Sequence, residues 1–158
     1  MILNGYYVVN VEAAIYNDDK WLIVKRKKQE GHASGSLALV GGKVEVLCSS
    51  DNGLEETVKR EVMEEIGAEV EDIDYLESKT LRTDEGQIEV HIVLVCRLRS
   101  RVYGCPGKDG IAEVYWLTAR EVIRNHNAPW YLRQSIARAE EKRLSKQNPW
   151  LRYPVNTI

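Results

Sequence analysis

Between Gly41 and Gly67 the chain reads GGKVEVLCSSDNGLEETVKREVMEEIG, and its second half admits one regular structure. Leu54, Val58, Val62 and Ile66 recur at every fourth position, which lays one apolar stripe along a helix. Gly67 stands just past the last of them, where a helix closes in left-handed backbone. The other face carries Glu61, Glu64 and Glu65 at i, i+3 and i+4, so the three carboxylates project over about one turn with Arg60 beside them. Like charges at that spacing repel by a few tenths of a kcal/mol per pair. Grouped without interleaved Lys, they suit either an open solvated face or a bound cation. Oxygen-only ligands select a hard ion, Mg²⁺ or Mn²⁺. Ahead of the helix, the short apolar run Leu37 to Val40 ends in Gly41-Gly42. A glycine pair lets backbone come close and brings carbonyl oxygens near the carboxylates.

Gly-Gly, a loop and then Arg-Glu-Val-Met-Glu-Glu-Ile-Gly resembles the Nudix box of the Nudix hydrolases. Gly42 matches the opening Gly, Arg60 and Glu61 the Arg-Glu pair, Val62 the aliphatic position, Glu64 and Glu65 the paired carboxylates, and Gly67 the closing Gly; Ala68 is a weak match to the last aliphatic. Two departures stand out. The stretch Val46 to Gly53 holds about four residues more than the pattern, and Asn52 occupies the place of the first box Glu. Asp51 and Glu45 are the acidic residues available to substitute for it. Asn52, with Glu55 three residues on, also reads as a helix N-cap.

The resemblance implies an α+β fold, an α/β/α sandwich with a mixed sheet packed between helices, and it implies a reaction. Glu64 and Glu65 ligate Mg²⁺ or Mn²⁺, Glu61 ligates the ion or acts as base, Arg60 fixes the carboxylates by ion pairing, and Gly42 offers its carbonyl. Catalysis is thereby assigned to Glu61, Arg60 and Glu64. Substrate contacts are expected from Arg26, at the exit of the second strand, and from an acidic residue of a later loop, Asp109 first and Glu113 behind it. Otherwise Arg26 is a solvated edge and both acids are surface residues. The family's marks for ADP-ribose and dinucleoside polyphosphate hydrolysis, a Pro and a Tyr past the box, fall near Thr83 and Glu85 and are absent. The expected activity is therefore cleavage of the pyrophosphate linkage of a nucleoside diphosphate derivative, first a nucleoside triphosphate or a modified one. The alternatives are an ADP-ribose or nucleotide-sugar pyrophosphatase and a nucleotide-sensing module that no longer hydrolyses.

The chain of 158 residues fits a single domain over 1–158. With 22 basic and 24 acidic residues it carries a formal charge of -2, so no nucleic-acid duplex or anionic membrane is called for and a small nucleotide-type molecule is the natural partner. Cys48, Cys96 and Cys105 are odd in number and lack Cys-x-x-Cys spacing, against a disulfide framework or a zinc site. Reduced thiols, no leader and no apolar stretch near about 18 residues give a cytoplasmic expectation. A homodimer is permitted by strand edges and the Trp-rich ends without being required.

Along the chain, Tyr6 to Tyr16 and Trp21 to Lys25 read as a hairpin across Asn17-Asp18-Asp19, and 29–36 as a polar loop in which His32 is a surface residue. Leu37 to Val40 reads as one short strand. Ala68 to Arg82 reads as a loop leading into a strand, with a turn at 83–86. Ile88 to Leu98 is the strongest strand, its second face polar at one end, where Glu89 and His91 either face a pocket or pair across strands. Val114 to Leu117 closes the sheet, Thr118 and Glu121 form a capping box, and a last helix runs from about Pro129 to Ser145. Trp130 and Tyr131 are offered to a base or to the core.

Overall fold

The computed structural model describes residues 7–27, 35–45, 51–83, 86–104 and 110–147. Strands β1 (Val8–Asn17) and β2 (Lys20–Arg26) form a hairpin whose turn has Asp18 at φ 53°, the positive φ that matches strand twist in two-residue loops. Further along the chain come β3 (Leu37–Ala38), β4 (Val40–Lys43), α1 (Gly53–Ile66), β5 (Val70–Arg82), β6 (Ile88–Leu98), β7 (Ile111–Thr118), α2 (Ala119–Arg124) and α3 (Trp130–Gln147). The seven strands make one mixed sheet. One edge of β1 runs parallel to β6, its other edge carries β4 antiparallel, β5 flanks β6, and β3 and β7 both pair with β2.

Period-two alternation along β1 divides the core between the two faces of this sheet. Val11, Ala13 and Ile15 pack with Leu94 and Cys96 against Val58, Val62 and Ile66 of α1. Ala14, Val93 and Val95 pack on the opposite face against Val122 of α2 and Leu132, Ile136 and Ala139 of α3. The α/β/α sandwich expected from the sequence is therefore the fold. Each fully buried Val or Ile of the α1 stripe stabilises by about 1.5–3 kcal/mol, which outweighs the weak intrinsic stability of a 14-residue helix in water.

Local expectations meet the structure unevenly. Gly67 closes α1 at φ 62° with its N–H on the Met63 carbonyl at 3.0 Å, and the Thr118–Glu121 capping box forms at α2. Asn52 stands at the N-cap of α1 but makes no side-chain cap bond. Its backbone is left-handed (φ 62°, ψ 35°), a conformation Asn tolerates but one that departs from the extended cap geometry. The run Leu37 to Val40 is two strands. Leu39, buried on the α3 side, separates a pairing with β2 from a pairing with β1, because Val40 belongs to the core on the α1 side. The strand after the helix begins already at Val70, with a bulge at 71–74 where Asp72 has φ 52°. The closing strand starts earlier, at Ile111, and α3 runs on to Gln147. No helix among the described residues is long and apolar enough to cross a membrane.

Candidate active site

Helix α1 is pinned to the sheet at the glycine pair. Glu12 of β1 stands opposite Gly41 and Val11 opposite Gly42, and a Cβ on Gly41 would lie 2.8 Å from the Glu12 Cα and against the Val11 carbonyl oxygen. Only glycine permits that approach. A Cβ on Gly42 would instead stand 2.5 Å from both carboxylate oxygens of Glu61, so this carboxylate lies in the space that Gly42 leaves open.

Glu65 sits beneath the same turn, 5% exposed. Arg26 Nη1 donates to its Oε1 at 2.6 Å, and the Gly41 N–H donates to its Oε2 at 3.2 Å. The second arm of Arg26, Nη2, donates to the Leu39 carbonyl at 3.3 Å. Arg26 thus ties β2, the chain ahead of β4 and the helix carboxylate together. Arg60 spans the outer pair, with Nη2 2.8 Å from Glu61 Oε1 and Nη1 3.0 Å from Glu64 Oε2, and it also reaches the Lys43 carbonyl at 3.4 Å. Burial lifts the Glu61 carboxyl above its usual range against the pull of Arg60, and the charges of Glu64 and Glu45 add to the lift. Burial lifts Glu65 likewise, opposed by the hydrogen bond and charge of Arg26 and by the Gly41 N–H.

As they stand, no three His, Cys, Asp or Glu side chains among the described residues are gathered to hold a metal ion, and the carboxylates pair with the Arg26 and Arg60 guanidinium groups. The donor set nevertheless fits a hard divalent cation. It consists of oxygen alone, one carboxylate rests in a glycine cradle, and two of the three carboxylates carry a burial cost that their partners offset only in part and that a cation would relieve. The residues that would hold the ion are Glu61, Glu64 and Glu65, with the Gly42 carbonyl beside them. Arg60, whose side chain is 38% exposed, is the partner best placed to give way.

Of the remaining candidates, Glu113 lies exposed on β7, where it accepts from Lys25 Nζ at 2.9 Å and from the Tyr115 hydroxyl. Asp109 and His32 lie outside the described residues, as do 46–50 of the insertion. Glu45, on the chain leaving β4, acts electrostatically on Glu61.

A polar group that sequence reasoning found only in part lies across the sheet. His91 of β6 has Nε2 3.0 Å from Glu89 Oε2 and Nδ1 3.4 Å from Glu12 Oε1, while Asn10 donates to Glu89 Oε2 at 3.3 Å. Asn10 and Glu12, the polar residues that interrupt the apolar run of β1, were the signal for it. Glu12, Glu89 and His91 line a cleft of about 190 Å³ between the sheet and α3, together with Tyr131 and Leu132. Trp130, at the start of α3, is 59% exposed. The cleft adjoins the carboxylate turn through Leu39 and through Glu12, opposite Gly41.

A family model of the NUDIX domain matches residues 6–139. The chain belongs to the Nudix family. It is thereby a Nudix-type pyrophosphohydrolase acting on nucleoside diphosphate derivatives, and the carboxylate turn on α1 is its Nudix box. Solved Nudix structures share the fold. A MutT NUDIX hydrolase from Burkholderia pseudomallei superposes with a TM-score of 0.71 at 24% identity, over 84% of this chain and 98% of that one. A NUDIX hydrolase from Nitrosomonas europaea gives 0.71 at 20% identity, over 97% and 96%. The NUDIX domain of Shewanella oneidensis NrtR, solved with ADP ribose, gives 0.65 at 21%, over 89% and 90%. No curated protein matches the sequence.

Proposed function

We propose that this Nudix domain, the chain acting as one unit over 1–158, is a divalent-metal-dependent hydrolase of nucleoside triphosphates or modified nucleoside triphosphates. The observation that carries the reading is the Glu61–Glu64–Glu65 turn held against the Gly41-Gly42 backbone, with an organic-sized cleft on the adjoining strand residues. Mg²⁺ or Mn²⁺, when bound, neutralises phosphate oxygens and lowers the pKa of water at the reacting phosphorus. Glu64 and Glu65 ligate it, and Glu61 ligates it or accepts the proton of the attacking water. Arg60 orients the outer carboxylates. Arg26 holds Glu65 in place and presents positive charge toward the phosphate chain, and Asp109 is the loop acid assigned to the substrate.

The test is phosphate or pyrophosphate release from nucleoside triphosphates, ADP-ribose, nucleotide sugars and dinucleoside polyphosphates, with Mg²⁺ or Mn²⁺ and with chelator. Metal-dependent release from triphosphates is expected. Release from ADP-ribose or a nucleotide sugar alone would move the substrate to that class. Binding without any release would replace catalysis by sensing.

A further inference from the structure

The cleft between β1, β6, β5 and α3 has a hydrogen-bonding polarity that the carboxylate turn does not determine. Its walls are apolar and aromatic, from Leu39, Leu81, Leu132 and Tyr131. Its nitrogen donors, on Lys79 and His91, are already engaged by the protein, and the Tyr131 hydroxyl stands beside them. The three N–H bonds of the Lys79 ammonium meet the Tyr131 carbonyl at 3.0 Å, Ser135 Oγ at 2.7 Å and Glu77 Oε1 at 2.8 Å. Ser135 Oγ in turn donates to Glu77 Oε1 at 2.6 Å. His91 directs its two ring nitrogens to Glu89 and Glu12, which favour the doubly protonated ring that donates from both. These contacts use Glu12 Oε1 and Glu89 Oε2. Among the described residues no hydrogen bond takes the other oxygen of either carboxylate, and an ionised carboxylate can only accept.

Resting on the nucleotide reading above, we propose that this cleft takes the nucleobase and selects bases that carry an exocyclic amino group over bases whose edge is oxo only. An amino group, or an amino group beside a ring N–H, donates to Glu12 and Glu89 in charge-assisted hydrogen bonds. A carbonyl in the same place sets oxygen against the carboxylate oxygens of Glu12 and Glu89. A site built to accept from a particular N–H rejects the analogue lacking it far more strongly than an apolar pocket rejects a change of size. The place of the cleft fits this use. Leu39 lines it while its carbonyl holds the Arg26 arm whose partner arm holds Glu65, so a base in the cleft leaves its phosphates directed at the carboxylate turn.

The test reads binding without chemistry. Affinities for GMP against IMP and for CMP against UMP are measured by calorimetry in chelator, on the wild type and on Glu12→Gln and Glu89→Gln. Within each pair the bases differ by gain of an amino group or its exchange for a carbonyl. We expect the amino-bearing member of each pair to bind at least about tenfold tighter, and the preference to shrink in at least one variant, because an amide presents a donor as well as an acceptor. Equal affinity within both pairs, or an undiminished preference in both variants, would overturn the assignment. So would failure of every monophosphate to bind; metal-dependent triphosphate hydrolysis persisting alongside would leave the proposed function standing and remove only the base site.

Discussion

Gly41 and Gly42 are adjacent, yet their substitutions separate stability from activity. An alanine methyl at Gly41 meets backbone, the Val11 carbonyl and the Glu12 Cα, which cannot yield without opening the β1–β4 pairing. At Gly42 it meets only the tip of the Glu61 side chain, which can rotate. Gly41→Ala is expected to lower unfolding free energy by about 1–3 kcal/mol in urea melts. Gly42→Ala is expected to stay within about 1 kcal/mol of wild type while kcat falls about a hundredfold, the cost of moving the carboxylate proposed for catalysis by an ångström. Equal losses of stability in the two variants would show that the Glu61 carboxylate does not lie over Gly42. This residue-scale arrangement was legible in the sequence because it is local: one helical turn groups the carboxylates, and a Gly pair marks the close approach. The acceptor edge of the cleft was legible only in part: Glu89 and His91 of β6 were expected to face a pocket or to pair across strands, but Glu12 comes from β1, and no spacing along the chain records a parallel strand pairing.

At the scale of elements, that parallel pairing of β1 with β6 makes stability depend on pH. Hydrogen bonding to Glu12, then to Glu89, outweighs burial and raises the His91 pKa above its ordinary 6.5. A group whose folded pKa is raised stabilises fully below its unfolded value and loses that stabilisation as pH climbs through the folded one. Unfolding free energy is therefore expected to decline from about pH 6.5 upward with a slope of no more than about 1.4 kcal/mol per pH unit, the limit for one proton. The decline should be absent in His91→Gln. A wild-type profile that stays flat or rises over this window, relative to the variant, would contradict it. Among the elements themselves, α1 and β6 were legible because each repeats a single period over its whole length. The run Leu37 to Val40 was not. Its change of partner strand at Leu39 is decided by which face of the sheet each residue meets, and four residues carry no period.

Across the whole molecule, each helical layer joins its apolar contacts to one buried carboxylate. Helix α1 carries Glu65, which meets Arg26 of β2 and the Gly41 N–H, whereas α3 is bolted to β5 by Glu77 of the strand. Glu77 is 6% exposed and receives Lys79 at 2.8 Å, Ser135 Oγ at 2.6 Å and Arg138. Burial opposes its charge, but these three partners outweigh burial and hold its pKa below 4.5. Replacing it by Gln leaves Lys79 and Arg138 without their anion. We expect a loss of about 2–4 kcal/mol in urea unfolding at pH 7, narrowing as pH falls below 4.5 and the wild-type carboxyl itself protonates. A loss under about 0.5 kcal/mol would mean that apolar packing alone seats α3. Nothing in the sequence marked Glu77, one of several acids on a strand that alternates polar and apolar; its α3 partners, Ser135 and Arg138, lie more than fifty positions away.

Glu65, the buried carboxylate of the box, is proposed to serve metal-dependent hydrolysis and not only the Arg26 ion pair. Initial rates of product release from a nucleoside triphosphate at saturating Mg²⁺, compared between wild type and Glu65→Gln and repeated in chelator, test it most directly. Chelator is expected to abolish wild-type turnover, and the variant, still folded by circular dichroism, to lose at least about a hundredfold in kcat. Metal-dependent turnover retained in Glu65→Gln, or wild-type turnover that survives chelator, would contradict it.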